Sequence, residues 1–175
     1  MYIGGAEHSV LHLLYSRFLT MFFKDIKLTN FDEPFTKFRA HGLLIKEGAK
    51  MSKSKGNVVN PDKYIKNFGA DTLRMYLMFL APFEQGGDFR DAGILGIKRF
   101  LERVWKMGTQ ATFAEHPANN RKIKQALHAT IKKVTDGLEG LKFNTAIAAL
   151  MILFNGFEKE KKIDREDFEV FLKLL

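Results

Sequence analysis

Residues 42–62 read GLLIKEGAKMSKSKGNVVNPD. The stretch opens as a short apolar strand, Gly42 to Ile45, and turns at Lys46-Glu47-Gly48. Residues 49–57 then hold three lysines, two serines and a glycine around one large apolar side chain, Met51. Little of that buries cheaply, so the reading is an exposed, mobile loop. Asn60-Pro61 marks a helix start, a capping residue followed by proline at the first helical position. Strand, lysine-rich loop and helix thus follow one another in that order.

Outward from this stretch the chain is unequal. Toward the N-terminus, residues 6–23 read as a helix, with Val10, Leu13, Leu14, Phe18, Met21 and Phe22 on one face. Gly4-Gly5 feeds it, and residues 24–34 form a connection. Toward the C-terminus, Gly69 ends a short helix, Asp71 opens another that runs to Ala81, and Pro82 stops it. Residues 83–88, with Gly86-Gly87, read as a boundary. Beyond it no strand signal remains. Helices are expected over 91–110, 120–139 and 144–161, with Pro117 and Gly140 in their connections, and a last one after Asp164. The apolar ending at Phe171-Leu172-Lys173-Leu174-Leu175 leads us to expect that the natural chain continues.

Composition narrows the function. The 175 residues allow about one domain or two small ones, at roughly 150 residues each. Hydrophobic residues at 46% and charged residues at 27% exclude a collagen, a mucin-like stalk and a wholly disordered chain. Seventeen phenylalanines allow an aromatic core. With 28 basic and 20 acidic side chains the net charge is +8, which suits a polyanionic partner and equally a plain basic surface. The absence of cysteine excludes disulfides, thiol catalysis and cysteine zinc sites. No signal peptide or membrane span is read, and a cytoplasmic location is expected.

Three features could carry chemistry. Lysines on a glycine-ended loop can close over a triphosphate and stabilise charge on leaving pyrophosphate. The same composition also describes a solvated basic loop. It is no Walker A motif, because the Gly-x4-Gly-Lys-Ser/Thr spacing is missing. Gly4 and Gly5 permit close backbone approach, Glu7 can accept from ribose hydroxyls, and His8 and His12 share a face four residues apart. No third metal ligand stands near, so no protein-bound metal is predicted. Arg99, Arg103 and Lys106, with Lys98, form a basic cluster that could follow an RNA backbone or be a solvated helix face. Phe100, Leu101 and Trp105 read as core rather than base-stacking platforms.

Lys50-Met51-Ser52-Lys53-Ser54 is the unbroken KMSKS motif of class I aminoacyl-tRNA synthetases. Tyr2 to Phe18, Phe31 to Phe35, His41 to Leu44, Lys53 to Val59, Gly69 to Arg74 and Phe100 to Trp105 resemble the leucyl members most. The likeness is dense over 1–107 and continues only as a pattern of helices. It implies a Rossmann-type catalytic remnant over 1–56, a connecting segment over 57–92, and the start of an all-α anticodon-binding-type bundle over 93–175. It implies ATP with Mg²⁺, leucine and tRNA(Leu) as reactants, and a missing N-terminal half of the enzyme as partner. The family's His-Ile-Gly-His signature does not occur, so the isolated chain is expected to be inactive.

Residue by residue, the resemblance makes Lys50 and Lys53 the catalytic, phosphate-holding pair. Met51, Ser52 and Ser54 complete that loop. Leu43 and Leu44 would offer backbone contacts to adenine, and Gly4, Gly5 and Glu7 would face the ribose. His8 and His12 would line the adenylate pocket, and Arg99, Arg103 and Lys106 would meet tRNA. Two alternatives stay open: a class I synthetase for valine, isoleucine or methionine, and a catalytically dead tRNA-binding module.

Overall fold

The computed structural model describes residues 1–110, 113–114, 120–160 and 162–175. Pro117 and Lys161, placed above in a connection and at a helix end, lie outside the described residues. The chain begins as a β-α-β unit. Strand β1 (Tyr2–Gly5) and strand β2 (Phe38–His41) pair in parallel, Tyr2 opposite Phe38 and Gly5 opposite His41. Parallel strands need a crossover, and helix α1 (His12–Asp25) supplies it.

The helix starts later than its apolar spacing predicts. Ala6–Ser9 is a 3-10 turn, closed by the Ser9 hydroxyl donating to the Ala6 carbonyl at 2.8 Å. Local side-chain bonding of this kind competes with helix formation. The predicted apolar stripe of α1 also stays largely uncovered. Val10, Leu14, Phe18, Met21 and Phe22 are all exposed, Phe18 at 69%, and Thr20 is the one residue of the helix that is buried.

Strand β3 (Leu43–Lys46) is the centre of a second sheet. A hairpin returns it to β4 (Ala49–Lys50), with Ile45 opposite Lys50. The two turn residues, Glu47 and Gly48, both have positive φ, 54° and 75°. That is the primed turn whose twist suits a two-residue hairpin. On its other edge β3 pairs in parallel with β5 (Gly86–Phe89). Part of the segment read as a boundary is therefore a strand, and it reaches one residue beyond, to Phe89, where no strand was expected. Its glycines are steric requirements: a Cβ on Gly86 (φ 70°) would run into the Leu43 backbone, and one on Gly42 into Gln85 and Gly86.

The helices follow their signals closely. α2 (Pro61–Phe68) starts at Asn60, whose side chain accepts from the Asp62 amide at 3.0 Å, and ends at Gly69. α3 (Ala70–Phe79) stops two residues short of Ala81. α4 (Asp91–Gln110) and α5 (Arg121–Glu139) match their expected spans, and α5 is capped by Asn120. α6 (Phe143–Phe157) and α7 (Arg165–Leu174) complete the bundle.

Two apolar clusters hold these elements. Tyr64, Leu73, Tyr76, Phe89, Ile94 and Ile97 form the first, between β5 and α2–α4. The second, in the bundle, is rich in phenylalanine. Phe154 meets Phe100 edge-on at 5.6 Å and stacks on Phe171 at 5.7 Å. Met75, Leu101 and Met151 pack against both clusters. Trp105 is not core: it is 75% exposed. The buried seam of α4 runs Ile94, Ile97, Phe100, Val104, and Trp105, one residue beyond it, turns about 100° away at 3.6 residues per turn.

Candidate nucleotide-binding site

The predicted site residues stand along one continuous backbone path. Gly4 and Gly5 are buried at the carboxyl end of β1, and Gly5 is opposite His41, the last residue of β2. Crevices outside the carboxyl ends of parallel strands are where open α/β sheets take ligands. Gly42 follows His41 and leads directly into Leu43 and Leu44. The next residue, Ile45, is paired with Lys50. The glycine-rich end of β1, the β3 backbone and the lysine loop are thus joined by short covalent and hydrogen-bonded steps.

Each part has its own support. A Cβ at Gly5 would collide with the Glu7 carboxylate, so the absent side chain is what lets Glu7 fold over the strand end. Tyr2, which sequence reasoning missed, organises both histidines. Its ring stacks on His12 at 4.9 Å and meets His8 edge-on at 6.1 Å. His8 and His12 are themselves edge-on at 6.4 Å. Among the described residues, the buried His8 Nδ1 has no protein partner, which leaves it available to a ligand. Leu43 and Leu44 are exposed, and β4 covers only Ile45 and Lys46 on that side of β3. The Leu43 backbone N and O lie against Gly86 of β5, so by the alternation of a strand it is the Leu44 N–H and C=O that face the edge away from β5.

The lysine loop is exposed, as its composition implies, and it takes the form of a hydrogen-bonded turn. Lys50 ends β4, Ser52 caps a 3-10 turn over Lys53–Lys55, and Gly56 closes it at φ 66°. The Lys55 amide donates to Ser52 Oγ at 3.3 Å, and Ser52 Oγ lies 3.1 Å from Ser54 Oγ. Asn57, also missed by sequence reasoning, clamps the turn from outside. Its Oδ1 accepts from the Ser52 amide at 2.8 Å, and its Nδ2 donates to the Lys50 carbonyl at 3.2 Å. An amide side chain supplies the acceptor and the donor from two adjacent atoms. An asparagine directly after a glycine of left-handed conformation is the signal that could have pointed to it. Lys53 and Ser54 remain exposed on the turn, and Met51 packs inward on the α2–α4 cluster.

The three basic residues expected on α4 divide. Arg99 and Lys106 are exposed. Arg103 is instead fixed to α6: its Nη2 donates to Asn155 Oδ1 at 2.7 Å and to Glu158 at 2.9 Å, and its guanidinium lies 5.3 Å from the Phe154 ring centre. Among the described residues, no three His, Cys, Asp or Glu side chains gather as a metal site, and no helix is long and apolar enough to cross a membrane.

Known proteins resemble this chain in sequence and in fold. Residues 11–89 match the family model described as tRNA synthetases class I (I, L, M and V). The leucine–tRNA ligase of Thermotoga petrophila is 50% identical over 165 residues, covering 88% of this chain and 20% of the relative. That of Fervidobacterium nodosum is 45% identical and covers 99% of this chain and 24% of the relative. The chain therefore spans 20–24% of the length of these curated relatives. Among solved structures, a ternary LeuRS–tRNA–LeuAMS complex from Agrobacterium radiobacter K84 overlays 99% of the chain and 24% of its own, with a TM-score of 0.85 and 36% identity. Mycobacterium tuberculosis methionyl-tRNA synthetase in complex with methionyl-adenylate overlays 98% of the chain at TM-score 0.69 and 19% identity, a likeness of fold alone. Residues 11–89 are thus similar to the class I tRNA synthetases of the I, L, M and V group, and the fold is a Rossmann-type remnant joined to a helical bundle.

Proposed function

We propose that the chain is the KMSKS-bearing segment of a leucine–tRNA ligase. One observation carries the reading: Lys50 ends β4 and Lys53 opens the hydrogen-bonded turn that follows, on the same hairpin as the Leu44 backbone that faces away from β5, so candidate phosphate-binding cations and a candidate base-reading backbone share one unit. Identity to leucine–tRNA ligases over most of the chain supports leucine as the amino acid.

The division of labour follows from the chemistry of each group. The Leu43–Leu44 backbone holds adenine. Gly4, Gly5 and Glu7 receive the ribose, and His8 and His12 close the pocket around the adenylate. Leucine carboxylate oxygen attacks the α-phosphorus in line. As the bond to the bridging oxygen breaks, charge gathers on pyrophosphate, and Lys50 and Lys53 stabilise it where it develops. Met51 anchors the turn, while Ser52 and Ser54 shape it. The 2′- or 3′-hydroxyl of the tRNA's terminal ribose then takes the leucyl group from the adenylate, and AMP leaves. Mg²⁺ enters as part of the ATP substrate complex.

Residues 1–56 are the catalytic remnant, 57–92 the connecting segment and 93–175 the beginning of the helical domain. Arg99 and Lys106, with the exposed Trp105 beside them, meet the tRNA backbone, while Arg103 holds α4 to α6. The uncovered stripe of α1 is the face against which the rest of the catalytic domain, the N-terminal half, packs. The protein works in the cytoplasm.

The test is amino-acid-dependent ATP–pyrophosphate exchange, run on this chain alone and mixed with a separately made N-terminal half of a leucyl enzyme. Leucine-dependent exchange is expected only in the mixture and is lost in Lys53→Ala. Dependence on valine, isoleucine or methionine would replace the specificity. No exchange from folded, associated halves would establish a dead tRNA-binding module instead.

A further inference from the structure

Four consecutive residues at the β5–α4 junction each grip a different element. Asp88 Oδ1 accepts from the Gly48 amide, in the hairpin turn, at 3.3 Å, while its Oδ2 receives Arg90 Nε at 2.9 Å. Phe89 is opposite Lys46 in the ladder and is buried beneath Tyr64 and Tyr76. The Arg90 backbone is held on both sides by the Tyr76 hydroxyl of α3, which donates to its carbonyl at 2.8 Å and accepts from its amide at 3.0 Å. Asp91, the first residue of α4, accepts from the Tyr64 hydroxyl at 2.6 Å and stands 3.7 Å from Lys46 Nζ.

These grips converge on the β3–β4 hairpin from its turn and from Lys46, four residues before Lys50. Met51 and Val59, on either side of the lysine turn, pack on the cluster that contains Tyr64 and Phe89. Lys46 and Asp88 are 19% exposed while their ion partners Asp91 and Arg90 stand at 62% and 75%, so the hydrogen bonds rather than the charges carry the grip. The direction of titration agrees. Arg90, foremost, holds the Asp88 carboxyl below its usual range, and burial, then the Asp91 bond, raises the Tyr64 phenol.

We propose that Asp88 and Asp91, with Tyr64, are positioning residues for Lys50 and Lys53: the start of α4 fixes where the lysine turn stands. The helical half is thereby coupled mechanically to the phosphate-binding loop. The proposal rests on the functional reading only in assigning Lys50 and Lys53 their role.

The absence of native cysteine allows clean paired spin labels. One pair joins the loop to α4 (Lys55→Cys with Leu95→Cys). A reference pair stays within the bundle (Leu95→Cys with Ile152→Cys). In Asp88→Ala/Asp91→Ala the loop–α4 distance distribution is expected to widen at least about twofold, with the reference pair unchanged. Asp88→Asn and Asp91→Asn keep an acceptor and should restore most of the native width. Tyr64→Phe, which keeps the ring against Phe89, should widen it by less than the double alanine variant. An unchanged loop–α4 distribution in the double variant, or equal widening in the reference pair, overturns the proposal.

The kinetic arm uses the exchange mixture described above. Here kcat should fall about tenfold with KM for leucine unchanged. A raised KM at constant kcat also overturns the proposal. Failure of the native mixture to exchange would count against the functional reading alone, because the spin distances need no ATP.

Discussion

Replacing Asn57 with alanine removes both bonds that clamp the lysine turn, one to the Ser52 amide at 2.8 Å and one to the Lys50 carbonyl at 3.2 Å. A hydrogen bond of this kind contributes about 0.5–1.5 kcal/mol net. Because both lie near solvent, the lower half of the combined range applies, about 1–2 kcal/mol. At 1.4 kcal/mol per tenfold, the equilibrium for opening the turn shifts by about 5- to 30-fold. The useful reporters are the Lys55 and Gly56 amides, which donate to the Ser52 and Lys53 carbonyls at 3.2 Å and do not touch Asn57. Their hydrogen exchange in Asn57→Ala should quicken by that factor, with amides in the middle of α6 unchanged. Asn57→Asp keeps the acceptor and loses the donor, so it should fall between. Exchange at Lys55 and Gly56 within twofold of the native rate would refute the clamp and leave the local Ser52 cap as the sole organiser of the turn.

Gly86→Ala should lower stability by about 2 kcal/mol or more in chemical unfolding, because left-handed backbone costs a side chain about 1–2 kcal/mol before its clash with Leu43 is counted. Phe154→Ala should cost about 3–5 kcal/mol, whereas Trp105→Ala, at an exposed position, should stay within about 0.5 kcal/mol; comparable losses would refute the assigned orientation of α4. The Asp88 carboxyl is held below its usual range, so its stabilisation is complete above the unfolded value of about 3.9 and disappears as pH falls through the lower folded value. Acid should therefore loosen the hairpin in the native chain, read as widening of the loop–α4 spin distance, and Asp88→Asn should blunt that dependence.

Helices were legible because their signals are local. Asn60-Pro61 and Gly69 bracket α2, and Asn120 caps α5, so spacing and caps alone locate them. The strands were not, apart from β3. β1 and β5 carry paired glycines, which local propensity reads as loop. Gly86 answers to a partner distant in sequence, the backbone of Leu43, while Gly5 answers to the folded-over carboxylate of Glu7 two residues on. The lysine loop was legible as a motif and as an exposed segment, but the bonds that shape its turn were not. Asn57 acts through two hydrogen bonds and Tyr2 through ring contacts to His8 and His12, none of which has a period, and no window of sequence averages them into view.

The α1 stripe shows the limit of periodicity from the other side. Val10, Leu14, Phe18 and Phe22 recur as a buried face should, yet they are exposed, while Phe154, Phe157 and Phe171 at the same kind of spacing are fully buried. Spacing reports that a face is apolar, and topology decides whether this chain covers it. The bundle closes on itself because α5 and α6 are adjacent antiparallel helices joined through Gly140, with α7 returning across them. The β1–α1–β2 unit has only a two-stranded sheet to offer, too little to close around a helix. α4 lies between these cases. Its first turns pack with Phe89 and its middle with Phe154, so the best-closed part of the molecule holds the part that carries the lysines.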